Sequence, residues 1–96
     1  MLDTEIKAQL AQYLQLMEGK VHIKLSAGSD GISRDMAALV DELAAMSPDI
    51  EVERTTLERT PSFSVNRPGE NTGITFAGIP LGHEFTSLVL ALLQVS

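Results

Sequence analysis

The chain has 96 residues, enough for one domain, and contains no cysteine, which excludes a disulfide framework, thiol catalysis and thiolate–zinc sites within it. Thirteen acidic residues against seven basic ones give a formal net charge of −6 at pH 7; the basic residues are scattered, so nothing attracts a phosphate backbone and nucleic acid is excluded as a partner. The N-terminus interleaves charges with single apolar residues, and the late apolar run is too short to span a bilayer, so the expectation is a soluble, cytoplasmic protein with no membrane contact.

The elements follow in chain order. Asp3 or Thr4 can cap a first helix in which Ile6, Leu10, Leu14 and Met17 recur at helical spacing, with Tyr13 adjacent and Gly19 as the stop. "VHIKLSA" alternates strictly, Val21, Ile23 and Leu25 on one face against His22, Lys24 and Ser26 on the other, and reads as a strand. After a short loop Ser33 can cap a second helix with Met36, Val40 and Leu43 on one face; Ser47-Pro48 ends it. "DIEVER" sets Ile50 and Val52 against Glu51 and Glu53 as a second strand, and "SFSVN" repeats the pattern with Phe63 and Val65 as a third. "RPGENTG", residues 67–73, is dense in turn formers and reads as a hairpin loop. "GITFAG" gives a fourth strand with Ile74 and Phe76 inward, and "LGHEFTSLVLALLQ" a last helix.

Two strands joined through a helix pair in parallel with a right-handed crossover, and the last two strands form a hairpin followed by a helix that returns over the sheet. A βαβ unit followed by a ββα unit, with one additional N-terminal helix, is an α/β architecture of the thioredoxin-like type, expected over residues 1–96. Helices two and three belong on the apolar face and helix one on the other face or an edge. The polar set His22, Lys24, Ser26, Glu51 and Glu53 stands in tension with covering that second face.

Two local features bear on chemistry. The stretch "KLSAGSDGISRDMAALVDEL", residues 24–43, is a strand, a tight loop and a helix start. In many small redox proteins this junction carries two cysteines, because a helix N-terminus stabilises a thiolate. Laying it on that segment puts Asp30 and Ser33 at the cysteine positions, so Asp30-Gly31-Ile32-Ser33 reads as the remnant of a C-x-x-C loop. Thr60-Pro61 precedes the third strand, where thioredoxin-like proteins hold a cis-proline that frees the preceding backbone to pair with an extended partner; an ordinary trans proline at a strand start is the alternative.

"FAGIPLGHEFTSLVLALLQ", residues 76–94, with "MLDTEIKAQLAQYL" and "PSFSVNRPGENTGITFAG", resembles the N-terminal region of the F component of bacterial alkyl hydroperoxide reductase. The resemblance covers essentially the whole chain and is most specific between residues 61 and 94. It implies the first of two tandem thioredoxin-like folds, the one without cysteines; the second keeps a C-x-x-C, and a flavoprotein body with FAD, an NADH site and another cysteine pair follows. In that family electrons run from NADH through FAD and the cysteine pairs to a peroxiredoxin, which reduces hydroperoxides. The implied reading is a domain of a larger flavoprotein, itself without catalytic residues, cofactor or metal, whose partners are the second fold of the same parent chain and, through the parent, the peroxiredoxin. A stand-alone thioredoxin-like adaptor, binding a partner through the last helix and the Pro61 groove, is the alternative.

The last helix supports an outside contact on its own composition. From Phe85 to Ser96 there is no charge, and Phe85, Leu88, Val89, Leu92 and Leu93 make a broad apolar stripe that Leu90 extends toward Thr86 and Gln94. Covering one sheet face needs a stripe of roughly 100°, and this one is about twice as wide. Leu90, Leu93 and Val95, on the flank away from Phe85 and Leu88, are the candidate interface; a fully buried helix is the alternative. His22, on a polar strand face, reads as solvated or hydrogen-bonded. Glu84 suits the helix dipole; what the resemblance adds is a position facing the companion fold's disulfide, where like charge would raise a thiol pKa. Asp30, Ser33 and Asp35 have no second ligand cluster to make them a metal or catalytic site.

Overall fold

A computed structural model describes residues 4–56, 60–69, 73–77 and 85–96. In chain order the elements are α1 (Thr4–Leu14), β1 (Val21–Ser26), α2 (Gly31–Met46), β2 (Ile50–Arg54), β3 (Ser62–Asn66), β4 (Ile74–Phe76) and α3 (Phe85–Val95). The strands order as β2-β1-β3-β4. β1 pairs with β2 in parallel and with β3 antiparallel, and β3 pairs antiparallel with β4. This is the α/β, thioredoxin-like arrangement expected from the element order.

The alternation in β1 sets the layers. Val21, Ile23 and Leu25 face the core at 0–1% exposure, opposite Ile50 and Val52 on β2 and Val65 and Phe63 on β3. The Phe63 and Phe76 rings stack across β3 and β4 with centroids 5.2 Å apart and 25° between planes, an offset arrangement that adds to the burial of two large apolar groups. α2 closes this face with Met36, Leu39, Val40 and Leu43, and α3 with Leu88, Val89, Ala91 and Leu92, all buried. Each such Leu or Val contributes about 1.5–3 kcal/mol when fully removed from water.

α1 departs from the expected placement. Its Leu10 and Leu14 join the same apolar cluster, it packs against α3, and Lys7 Nζ lies 3.6 Å from Glu42 Oε1 of α2. All three described helices therefore lie on one side of the sheet, and the 22 Å short dimension fits one sheet and one helix layer. The reason lies in the strands: the opposite face carries His22, Lys24, Glu51, Glu53, Ser64, Asn66 and Thr75 and offers Leu10 and Leu14 nothing apolar. α1 also stops earlier than Gly19. After Leu14 the chain turns, with Leu16 N–H donating to Tyr13 O at 2.9 Å and Met17 N–H to Leu14 O at 3.2 Å, and Met17 packs against the core from this turn.

Ile74 is a second difference. It sits opposite Val65 on the apolar side but is 42% exposed, because β4 is an edge strand and α3 packs over its neighbour β3. The hairpin is tied at its base by Asn66, whose amide donates to Ser64 Oγ at 2.9 Å and His22 O at 3.3 Å while its Oδ1 accepts from Gly73 N–H at 3.0 Å. A Cβ on Gly73 would collide with the Val65 carbonyl, so this close return requires glycine.

Candidate functional site

The junction of β1 and α2 is organised by Asp30. Its backbone is extended (φ −73°, ψ 168°) and it is the N-cap of α2, the position where a short acceptor side chain satisfies an orphan amide of the first turn. Asp30 Oδ2 accepts from Ser33 N–H at 3.3 Å and Oδ1 from Ser33 Oγ–H at 2.6 Å. Ser33, expected as the cap, is instead inside the helix, fully buried, and donates to the cap. Of two adjacent cap formers, Asp30 wins because its two oxygens take both Ser33 donors. These bonds, the hydroxyl first and the amide second, hold the Asp30 carboxyl below its ordinary value of 3.8, with desolvation opposing them. Ile32 points into water at 59% exposure.

Thr60-Pro61 comes to the same place. The peptide bond is cis, and Thr60 Oγ1 lies 2.7 Å from Ser26 Oγ at the end of β1. Gly28 sits between the two halves: a Cβ there would stand 3.3 Å from Asp30 Oδ1, 3.6 Å from Ser33 Oγ and 3.8 Å from Thr60 Cγ2. The fold thus gathers Asp30, Ser33 and Thr60 around one glycine, although Thr60 lies 27 positions beyond Ser33 in the numbering. Ser26 and Gly28 were not singled out from sequence; their signal was the end of the alternating strand and a small residue just before the cap. Chemically the cluster offers a carboxylate and hydroxyls, and neither group undergoes thiol–disulfide exchange.

The α3 flank forms the second feature. A half-open groove of about 370 Å³ lies between α1 and α3, walled by Gln9 and Tyr13 on one side and Phe85, Thr86, Val89, Leu90 and Leu93 on the other. Leu90 is 49% and Tyr13 42% exposed. Leu93 and Val95 are half-buried and packed against the core, as is Phe85. Phe85 shares the groove with Leu90 and Leu93 rather than lying on the opposite flank. Gln9 and Tyr13, one turn apart on α1, were missed as its other wall. The C-terminus of α3 is tied down: Arg67 Nε–H donates to Val95 O at 3.3 Å, Ser96 Oγ–H to Leu93 O at 3.0 Å, and Glu18 N–H to Ser96 Oγ at 3.3 Å.

His22 lies on the polar sheet face with Nε2 3.0 Å from Glu53 Oε1 and Nδ1 3.9 Å from Glu51 Oε2, a clasp between β1 and β2. Among the described residues no three His, Asp or Glu side chains gather as metal ligands, and no helix is long and apolar enough to cross a membrane. Glu84 lies outside the described residues.

A thioredoxin-like sheet whose β1–α2 junction holds a carboxylate and a buried hydroxyl, in a chain without cysteine, defines a class, the cysteine-less thioredoxin-like domain. A protein disulfide oxidoreductase from Aeropyrum pernix shares the fold at TM-score 0.77, with 20% identity over 98% of this chain and 48% of that one. The N-terminal domain of the alkylhydroperoxide reductase AhpF from Enterococcus faecalis superimposes at TM-score 0.86 with 28% identity, over 99% of this chain and 53% of that one. In sequence, the chain is 59% identical over its full length to the F component of the alkyl hydroperoxide reductase of Staphylococcus aureus, covering 19% of it, and 76% identical over 95 residues to a protein named NADH dehydrogenase from Ferdinandcohnia aciditolerans, covering 18% of it. No protein-family model matches. Over its full length the chain is homologous to F components of alkyl hydroperoxide reductases and has the fold of their N-terminal domain, without cysteine, and it spans about a fifth of the length of the curated relatives it matches.

Proposed function

We propose that residues 1–96 are the redox-silent thioredoxin-like domain of an NADH- and FAD-dependent peroxiredoxin reductase. The domain organises an adjacent C-x-x-C fold, and that fold passes electrons to a peroxiredoxin, which reduces hydroperoxides. The observation that carries the reading is the pair Asp30 and Ser33 at the mouth of α2, hydrogen-bonded to each other at 2.6 Å, the two positions that we read as those of a redox fold's cysteines. A scaffold with this exchange in its active loop keeps the shape of an electron-transfer fold and loses the ability to divert electrons from its neighbour. FAD and NADH belong to other parts of the parent. The α2 N-terminus, where a βαβ unit would seat a pyrophosphate, is filled by the Asp30 carboxylate, which repels a phosphate group. An NADH-driven cycle fits a cytoplasmic location.

The groove between α1 and α3 is the surface we assign to the companion fold, with Leu90 as its exposed centre and Leu93 on its half-buried wall; Val95, packed against the core, does not line it. Its uncharged, Tyr- and Leu-containing lining is the composition of a protein contact rather than of a solvated face. Glu84 is the residue we propose as modulator of the companion fold's disulfide, where its charge would raise the pKa of a facing thiol.

The test of silence is direct. Insulin reduction by dithiothreitol proceeds at the uncatalysed rate in the presence of the 96-residue chain, and FAD and NADH do not bind it by calorimetry. Catalysed insulin precipitation or saturable FAD binding would end the scaffold reading.

A further inference from the structure

We draw no further inference here: the strongest candidate, the uncharged groove between α1 and α3 around Tyr13 and Leu90, belongs to the contact already proposed, and nothing in the structure shows what else covers it.

Discussion

Leu90 and Leu92 stand two positions apart on α3, yet one is 49% exposed and the other 1%. That contrast makes a controlled pair of substitutions. Leu90→Glu gives up the buried half of one leucine, about 0.8–1.5 kcal/mol from a full burial of about 1.5–3 kcal/mol. For a domain of this size each kcal/mol moves the melting temperature by about 4–8 °C, so Leu90→Glu lowers it by about 12 °C at most. Leu92→Ala opens a cavity in the layer between α3 and β3, which costs about 2–5 kcal/mol, a larger shift than that of the exposed site. Circular dichroism melts of the 96-residue chain measure both. The functional arm uses the full-length parent, where Leu90→Glu lowers the rate of NADH-driven peroxiredoxin reduction while FAD content stays unchanged. If Leu90→Glu collapses the melt as Leu92→Ala does, the residue is internal and the groove is not a surface. If the melt holds and the full-length rate is also unmoved, the groove is not the contact with the companion fold.

The remaining predictions concern the junction. Asp30 has a lowered pKa in the folded state, so its contribution to stability is fully present above its ordinary value of 3.8 and is lost as pH falls through the lowered folded value; melts of Asp30→Asn against the parent chain differ at neutral pH and converge in strong acid, and a constant gap would remove the Asp30–Ser33 bonds from the account. Thr60→Val leaves Ser26, 3% exposed, without its hydroxyl partner and costs about 1–3 kcal/mol, whereas adding Ser26→Ala recovers most of the loss; a double-mutant cycle with no coupling would refute the bridge. Asp30→Cys combined with Ser33→Cys puts a thiol at each of the two positions whose side chains now hydrogen-bond at 2.6 Å, so the oxidised variant shows no free thiols by titration and regains them with dithiothreitol; two thiols that resist oxidation would show that the loop lacks the redox geometry.

The layers and pairing were legible because alternation is a local signal. "VHIKLSA" states its two faces residue by residue, and βαβ followed by a hairpin leaves few topologies. The position of α1 was less legible, because Leu10 and Leu14 say that a helix must be covered without saying by what; the polar residues of β1, β2 and β3 decide it, and they decide it only once registered side by side. Ile74 misled for the same reason: alternation assigns a face, whereas exposure depends on whether a helix reaches the edge strand. At the junction the four loop residues were visible in the sequence, but the choice of Asp30 over Ser33 as cap rests on a two-bond geometry that residue preference does not distinguish. The groove was half visible, since the uncharged run from Phe85 to Ser96 marks one wall and the α1 wall, Gln9 and Tyr13, is ordinary helix surface until the two helices meet.

Under the reading proposed above, the junction meets without sulfur the needs that a redox loop meets with a thiolate. The N-terminus of α2 carries unsatisfied amides and the positive end of a helix dipole, and in a redox loop the anion that meets them is a thiolate. Removing sulfur without replacement would leave the cap empty and bury the neighbouring position against nothing. Asp30 supplies a permanent anion, with its carboxyl held below the ordinary value by Ser33, and Ser33 fills the buried position with a hydroxyl whose proton is already committed to that anion. The electrostatic need of the helix is met, the internal position is filled, and no thiol stands in the chain to exchange. Ser26 and Thr60 hold the facing segment at 2.7 Å across the mouth. An Asp and Ser pair at this spacing keeps the loop closed without sulfur, and under the function proposed above that closure keeps the domain's shape for packing against a catalytic neighbour.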